Sequence, residues 1–339
     1  MTQLVVSNSI DNIYKEIKKL VISSRHRVYK NINHEMVLLY WNIGRIIINI
    51  QDGNRHAKYD DKTLEKLSIR LTNEFGNGFS IQNLRKMRKF YYMFQKRPTL
   101  SVELSWSHYI EIMKVDDNNA RNFYIKETIS SNWSVRELRR QISSLLYERL
   151  CISKDSGEII ELSKNGQVIK TSKDLIKDPF VLEFLELNES KNYLESDLEK
   201  AILSHLKEFL LELGKGFMYV GEQVRITLEE EHFYPDLVFY NRILKCFVII
   251  DLKIGNVTHK DIGQMQMYVN YYDRKIKNDD ENKTIGILLC TNKNETVVKY
   301  SLPLDNNQIY ASNYKLNLPS KDEFINEIEK EKQNYFMYK

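Results

Sequence analysis

From Tyr234 to Lys253 the chain runs YPDLVFYNRILKCFVIIDLK. Two apolar runs rich in Val, Ile, Phe and Tyr, at about 233–240 and 245–253, read as strands, with Asn241-Arg242 joining them as a hairpin. Successive side chains of a strand point to opposite faces, so Asp251 and Lys253, two apart, share one face. Asp236 lies on the preceding strand and can oppose them. Two carboxylates and one ammonium thus converge where hydrophobic strands meet. Desolvating unpaired charge is expensive, so such a placement needs a reason. A strand-end salt bridge at the surface is the plainer alternative.

Two carboxylates held close do not both ionise comfortably unless a cation intervenes. Oxygen ligands suit Mg²⁺, with Mn²⁺ able to substitute, because Mg²⁺ takes one or two carboxylates and completes its shell with water and phosphate oxygens. Such an ion polarises phosphorus and lowers the pKa of a bound water. A neighbouring Lys can orient that water or offset charge building on the phosphate.

Working outward, the order of elements predicts an α/β domain with a mixed sheet. A helix from about Tyr193 to Leu213 stops at Gly214-Lys215-Gly216, and a strand-like run follows at 217–228. After Lys253 come a helix at 259–276, a buried strand at 284–291, a short helix at 293–300 and a strand at 308–313. Short connections make the first three strands sequential antiparallel neighbours. Towards the N-terminus, residues 151–189 lose periodicity and read as a linker or crossing segment with at most short strands. Residues 1–150 read as all-α, with helices at 9–30, 33–50, 61–74, 81–95, 105–114 and 117–129. Ser80 is the expected N-cap of the fourth, and Ser134-Val-Arg-Glu137 is a capping box opening a helix to Leu150. The expected domains are 1–150, a linker at 151–189, and 190–339.

Composition narrows the function classes. Of 339 residues 28% are charged and 42% hydrophobic, with 12 Gly and 5 Pro, which excludes disordered, collagenous and low-complexity chains. No signal peptide and no run long enough to span a bilayer is expected. Cys151, Cys246 and Cys290 are too few and too scattered for a disulfide framework or a zinc site, so a cytoplasmic setting without membrane association is expected. Residues 1–150 hold 25 Lys and Arg against 15 Asp and Glu, a net +10, while the remainder nets −6. The basic front attracts a polyanion and the back concentrates carboxylates.

The stretch 80–97 contains Arg85, Lys86, Arg88, Lys89, Lys96 and Arg97 and no acid. With the preceding helix and glycine turn it makes a helix-turn-helix-like layout. Arg136, Arg139 and Arg140 form a second basic cluster. Both are candidate phosphate-binding surfaces; a solvated helix face or a protein–protein surface is the alternative. Trp106, His108 and Trp133 read as core.

The Pro235-Asp236 and Asp251-Leu252-Lys253 pair resembles the motif of the PD-(D/E)xK nuclease superfamily. Gln264-Met-Gln-Met-Tyr268 fits the QxxxY pattern of its RecB-like members, and Glu199 stands where many members supply a further acid. Beyond the motif the chain resembles the YhcG-like family through Leu39-Tyr-Trp-Asn-Ile-Gly44, Gly78-Phe-Ser-Ile-Gln-Asn-Leu84, Leu104-Ser-Trp-Ser-His108, Trp133-Ser-Val-Arg-Glu-Leu138, Gly214-Lys-Gly-Phe217 and Asp251-Leu-Lys-Ile-Gly255. The resemblance implies a C-terminal restriction-endonuclease-like domain behind an all-α domain. The implied site is Asp236, Asp251 and the Leu252 backbone carbonyl as metal ligands, Lys253 at the scissile phosphate, and Glu199, Gln264 and Tyr268 bordering it. Without it, Glu199 is a solvated helical charge and Gln264 and Tyr268 pack a helix on the sheet. One position departs from what the resemblance implies: Glu is expected at 251, this chain has Asp, and the shorter arm would shift a bound metal. The expected function is a metal-dependent DNA endonuclease acting in recombination, repair or defence on branched, foreign or damaged DNA, with a homodimer left open. The alternatives are an inactive nuclease-like fold that binds nucleic acid or serves assembly, and a protein–protein adaptor.

Overall fold

Residues 1–139 and 140–339 form two compact units. The computed structural model describes residues 2–52, 57–95, 100–152, 154, 156–187, 193–318, 320, 322–326 and 328–329. Lys96 and Arg97 lie outside the described residues, as do Gly53 and Asn54 of Asp52-Gly53-Asn54, the turn signal expected to end the second helix.

The first unit is helical among its described residues. One helix, α1 (Thr2–Asp52), replaces the two helices expected at 9–30 and 33–50. The stretch holds no Pro and a single Gly, Gly44, so nothing in it forces a break between the two. Next come α2 (Ala57–Phe75), a 3₁₀ turn (Asn77–Phe79) and α3 (Ile81–Met93), and Ser80 caps α3 by accepting from the Asn83 amide at 3.3 Å. Ile47, Leu64, Leu84 and Met87 pack together between these helices. Gly44 makes the closeness of α1 and α3 possible, since a Cβ there would overlap the Met87 carbonyl. After α4 (Trp106–Ile112) and α5 (Asn118–Ser130), α6 (Val135–Ser143) opens on the expected capping box, with Ser134 N donating to Glu137 at 2.7 Å. His108 accepts from Ser105 N through Nδ1 and lies 3.0 Å from the Trp133 carbonyl through Nε2, joining α4 to the start of α6.

In the second unit the helix expected to reach Leu150 breaks at Leu145, whose φ is 49°, and resumes as α7 (Leu146–Cys151). Residues 151–189 are more structured than a crossing segment. They carry α8 (Ser156–Asn165), two 3₁₀ turns and β1 (Phe180–Val181), which pairs in parallel with the last strand. The helix expected at 193–213 is two, α9 (Glu195–Ser204) and α10 (Leu206–Leu213), interrupted at His205. Then follow β2 (Phe217–Glu222), the hairpin β3 (Ile226–Leu228) and β4 (Glu231–Phe233), β5 (Leu237–Asn241), β6 (Cys246–Asn256), α11 (His259–Tyr271) ending in a π-helical turn, β7 (Ile285–Asn292), α12 (Glu295–Ser301) and β8 (Ile309–Lys315).

The sheet order is β1-β8-β7-β6-β5-β2. β2, β5 and β6 are antiparallel neighbours, as expected, with the β3–β4 hairpin set apart from the sheet; β6, β7, β8 and β1 run parallel. The Asn241 side chain shapes the β5–β6 turn by accepting from Ile243 N and Leu244 N. Central strand β6 is covered on both faces, hence its apolar run. Val248, Ile250 and Leu252 pack with Leu198, Ile202 and Phe209 of α9 and α10; Ile249 packs with Met265, Tyr268 and Val269 of α11. Gly286 on β7 lets α11 lie close, its missing Cβ leaving room for Met265.

Candidate active site

The ladder between β5 and β6 ends at Leu237 opposite Ile250. Past that point β6 continues through Asp251, Leu252 and Lys253 without β5 beside it, and Asp236 closes the gap. Its Oδ2 accepts from Leu252 N at 2.7 Å, and its own carbonyl accepts from Gln223 N at 3.1 Å. In an extended strand the N–H and C=O of one residue face the same edge, so the Leu252 carbonyl faces the Asp236 side. Asp251 and Lys253 share the α11 face with Ile249, and Lys253 Nζ lies 3.1 Å from Asp251 Oδ2.

The electrostatics follow from burial. Asp251 is 3% exposed, and desolvation together with Asp236 pushes its pKa up to about 6, against the pull of Lys253. Asp236 is also raised, by burial first and by Glu199, although the Leu252 amide and Lys253 favour its ionised form. Burial alone would depress Lys253; Asp251, Glu195 and Asp236 outweigh it and hold the ammonium firmly protonated. A pair of carboxylates reluctant to ionise together, beside a permanent cation, is a place where more positive charge is welcome.

Of the six side chains expected here, Asp236, Asp251 and Lys253 form the cluster just described, and Glu199, Gln264 and Tyr268 lie around it. Glu199, on α9, reaches the cluster through Gln223: Gln223 Nε2 donates to both Glu199 oxygens, at 3.1 and 3.0 Å, and to Asp236 Oδ1 at 3.1 Å. Burial and the charges of Glu222 and Asp251 raise the Glu199 pKa. On α11 Gln264 donates to the Tyr268 hydroxyl. Tyr268 is fully buried in the core between α11 and the sheet, within reach of Asp251 and Asp236, whose charges add to burial in raising its pKa.

Two neighbours had not been expected. Glu195 opens α9 and holds Lys253 Nζ at 3.4 Å and Ile254 N at 3.1 Å. It stands one helical turn before Glu199, an i, i+4 spacing that the sequence displays. Gln223 follows β2 with a left-handed backbone, φ 47°, and no sequence pattern announces it.

The basic residues divide. On α3, Arg85, Lys86 and Lys89 are exposed and Arg88 is half-buried. Arg136 is exposed, whereas Arg139 donates to Glu111 at 2.8 Å. Arg140 turns inward: it donates to Glu183, Glu212 and the Val181 carbonyl, with its guanidinium 5.0 Å from the Phe184 ring centroid. Its donors are committed to the fold, which corrects the expectation that it offers itself to phosphate.

Among the described residues no group of three or more His, Cys, Asp or Glu side chains forms a ready cage for a metal. Mg²⁺ asks for less, one or two carboxylates with water and phosphate completing its shell. The all-oxygen pair of Asp236 and Asp251, with the Leu252 carbonyl at the same edge, fits such an ion.

Residues 173–329 match the model of the YhcG PDDEXK nuclease domain, and residues 16–149 match the DUF1016 N-terminal domain. "Putative nuclease YhcG" of Escherichia coli (strain K12) is 36% identical over 349 aligned positions, covering 93% of this chain and 92% of that protein. The chain belongs to the YhcG family. Its second unit accordingly contains a PDDEXK nuclease domain, and family membership supports hydrolytic nuclease activity. Two solved structures overlap it locally. One is the crystal structure of a repair endonuclease from Pyrococcus abyssi (20% identity, 38% of this chain, 50% of that one, TM-score 0.26). The other is the structure of an EndoMS-dsDNA2 complex (13% identity, 40% and 50%, TM-score 0.26). Overlaps this loose add nothing to the family match.

Proposed function

We propose that the protein is a divalent-metal-dependent DNA endonuclease whose second unit cuts the phosphodiester and whose first unit grips the substrate. The observation that carries the reading is the pair of half-buried Asp236 and buried Asp251, flanked by Lys253 at the open end of the β5–β6 ladder. Asp236, Asp251 and the Leu252 carbonyl would hold the cation, Mg²⁺ with Mn²⁺ as substitute, which supplies a Lewis acid that polarises phosphate and acidifies water. Lys253, kept protonated by Asp251 and Glu195, presents fixed positive charge where negative charge grows on the phosphate. Glu199 borders the site, steadied by Gln223. Gln264 and Tyr268 stiffen the wall that α11 gives it. DNA contact falls to Arg85, Lys86, Arg88 and Lys89 on α3, in the helix-turn-helix-like arrangement with α2, and to Arg136.

The test is a panel of plasmid, branched and single-stranded DNA, with RNA for contrast, incubated with Mg²⁺, Mn²⁺ or chelator. Metal-dependent cleavage lost in Asp236→Asn supports the reading, and equal cleavage by wild type and variant refutes it. A second reading, a nuclease fold that binds nucleic acid without cutting, has one observation in its favour: the short Asp251 arm is drawn into a salt bridge with Lys253. Wild type that neither binds metal nor cuts any substrate would select it.

A further inference from the structure

Among its described side chains, helix α1 buries apolar ones only in its C-terminal part and leaves an apolar line exposed along its other side. Val37, Trp41 and Ile47 are buried at 0, 6 and 5% exposure, and Gly44 sits against Met87 of α3. Val37 lies nine residues from both Val28 and Ile46, two and a half turns, which puts those two on the opposite side. That opposite side carries a line of apolar side chains, interrupted by Ser24 and Arg25 between Val21 and Val28 and by Glu35 between Ile32 and Leu39. Ile10, Tyr14, Ile17, Val21, Val28 and Ile32 are 43–62% exposed, and the line runs on through Leu39 to Ile46 at 44 and 54%. Ile10, Val28 and Ile46 stand 18 residues apart, five whole turns, so the stripe keeps one direction along a straight helix.

We infer that this stripe is a homodimer interface on which α1 of one copy packs against α1 of a second, antiparallel and centred on Val28. Length selects the occupant. From Ile10 to Ile46 the stripe measures about 54 Å. The next longest described helix, α2, has 19 residues and spans about 28 Å, so among the described elements only another α1 can cover the line. Area agrees. With Ile13 and Leu20 beside it, roughly ten half-exposed side chains at ~50–100 Å² each amount to several hundred Å², more than a monomer ordinarily leaves bare and of the order of the ~800 Å² per partner of a stable interface. Charge selects the direction. Residues 11–30 carry six Lys and Arg against Asp11 and Glu16, a net +4, whereas residues 31–49 hold only Glu35 and Arg45 and net zero. Parallel packing would set the two basic halves side by side; antiparallel packing sets each against a neutral half and pairs Ile17 with Leu39. The interface is isologous and closes on itself. It is independent of the nuclease reading.

Sedimentation equilibrium of the full chain at micromolar concentration should give a dimer, and Ile17→Lys combined with Val28→Lys should give a monomer with unchanged circular dichroism. Both positions are exposed, so the fold tolerates the change. Lys19→Glu, on the polar side of α1, should leave the dimer intact. For direction, Ile17→Cys and Leu39→Cys chains mixed one to one should form an oxidised heterodimer that neither forms with itself, the three native cysteines being buried. A monomeric wild type, a double variant that stays dimeric, or self-crosslinking of each Cys variant would overturn the proposal. So would a wild type that is monomeric in solution and sediments with phosphatidylserine vesicles, since a membrane surface would then be the occupant.

Discussion

Lys253 is ion-paired with two carboxylates on different elements, Asp251 on its own strand and Glu195 at the start of α9, and Asp236 adds to their hold on its charge. It is a donor with no lone pair to offer, so the role proposed for it is at the phosphate and not on the metal. Lys253→Ala should leave Mg²⁺ affinity by calorimetry near wild type while lowering single-turnover cleavage by roughly 10²–10³-fold, the cost of losing one preorganised positive donor. Loss of metal binding in step with cleavage would make it structural. Asp236 is the reverse case. Asp236→Asn keeps volume and the acceptor for Leu252 N while removing charge that raises Asp251. It should abolish metal binding and cleavage, yet the chelated variant should melt at or slightly above the chelated wild type at pH 7. The sign follows from linkage: a carboxyl whose folded pKa is raised makes the metal-free fold less stable as pH rises from its unfolded value of 3.8 through about 6, and removing its neighbour relieves this. A chelated variant melting well below wild type would give Asp236 a mainly structural role.

At the scale of elements, the second unit is pinned by Glu212 on α10. Its fully buried carboxylate accepts from Arg149 of α7 at 2.6 Å, from Arg140 of α6 at 3.1 Å and from Val181 N of β1 at 3.0 Å, and its carbonyl accepts from Lys177. Burial would raise its pKa; Arg149, Lys177 and Arg140 outweigh that and hold it at about 2. A depressed folded pKa stabilises the fold above the unfolded value of 4.5, and that contribution drains away as pH falls through about 2; the shift corresponds to about 3 kcal/mol. Glu212→Gln should therefore lose about 3–5 kcal/mol at pH 7 by urea unfolding, because Arg149 stays buried without its counter-charge, and its melting temperature should fall less than wild type's between pH 4.5 and 2. Parallel acid limbs in the two proteins would remove Glu212 from the account. The same knot explains what sequence could and could not convey. Strand period two placed Asp251 and Lys253 on one face, and the hairpin brought Asp236 to them, because those relations are local. Arg140 looked like surface charge because its partners lie 43 and 72 positions away. Gln223 escaped because its role depends on a left-handed residue after β2 and on where α9 lies. The breaks at Leu145 and His205 escaped because helical spacing continues through them. Glu195 was legible through its spacing from Glu199 and was passed over.

Across the whole molecule charge is divided by sequence, net +10 over residues 1–150 and −6 over the rest, so a polyanion meets attraction from one part of the chain and repulsion from the other. If DNA binds through phosphate neutralisation on α3, affinity must fall as salt rises, with a log–log slope of about 0.9 per contact. Arg85, Lys86 and Lys89 are the exposed members of that cluster, and changing them to Glu leaves Leu84, Met87 and Phe90, the buried side of the helix, untouched. The triple variant should keep its circular dichroism, melting temperature and Mg²⁺ titration. Its affinity for duplex DNA at about 0.1 M salt should fall at least tenfold, and its salt slope should flatten by up to ~2.7 if all three residues meet phosphates. Because the carboxylate pair is unaltered, cleavage at saturating DNA should stay near wild type while cleavage at limiting DNA drops with affinity. A triple variant with wild-type affinity and slope would leave α3 a solvated face and move the search for the DNA grip to Arg136 and the rest of the basic unit.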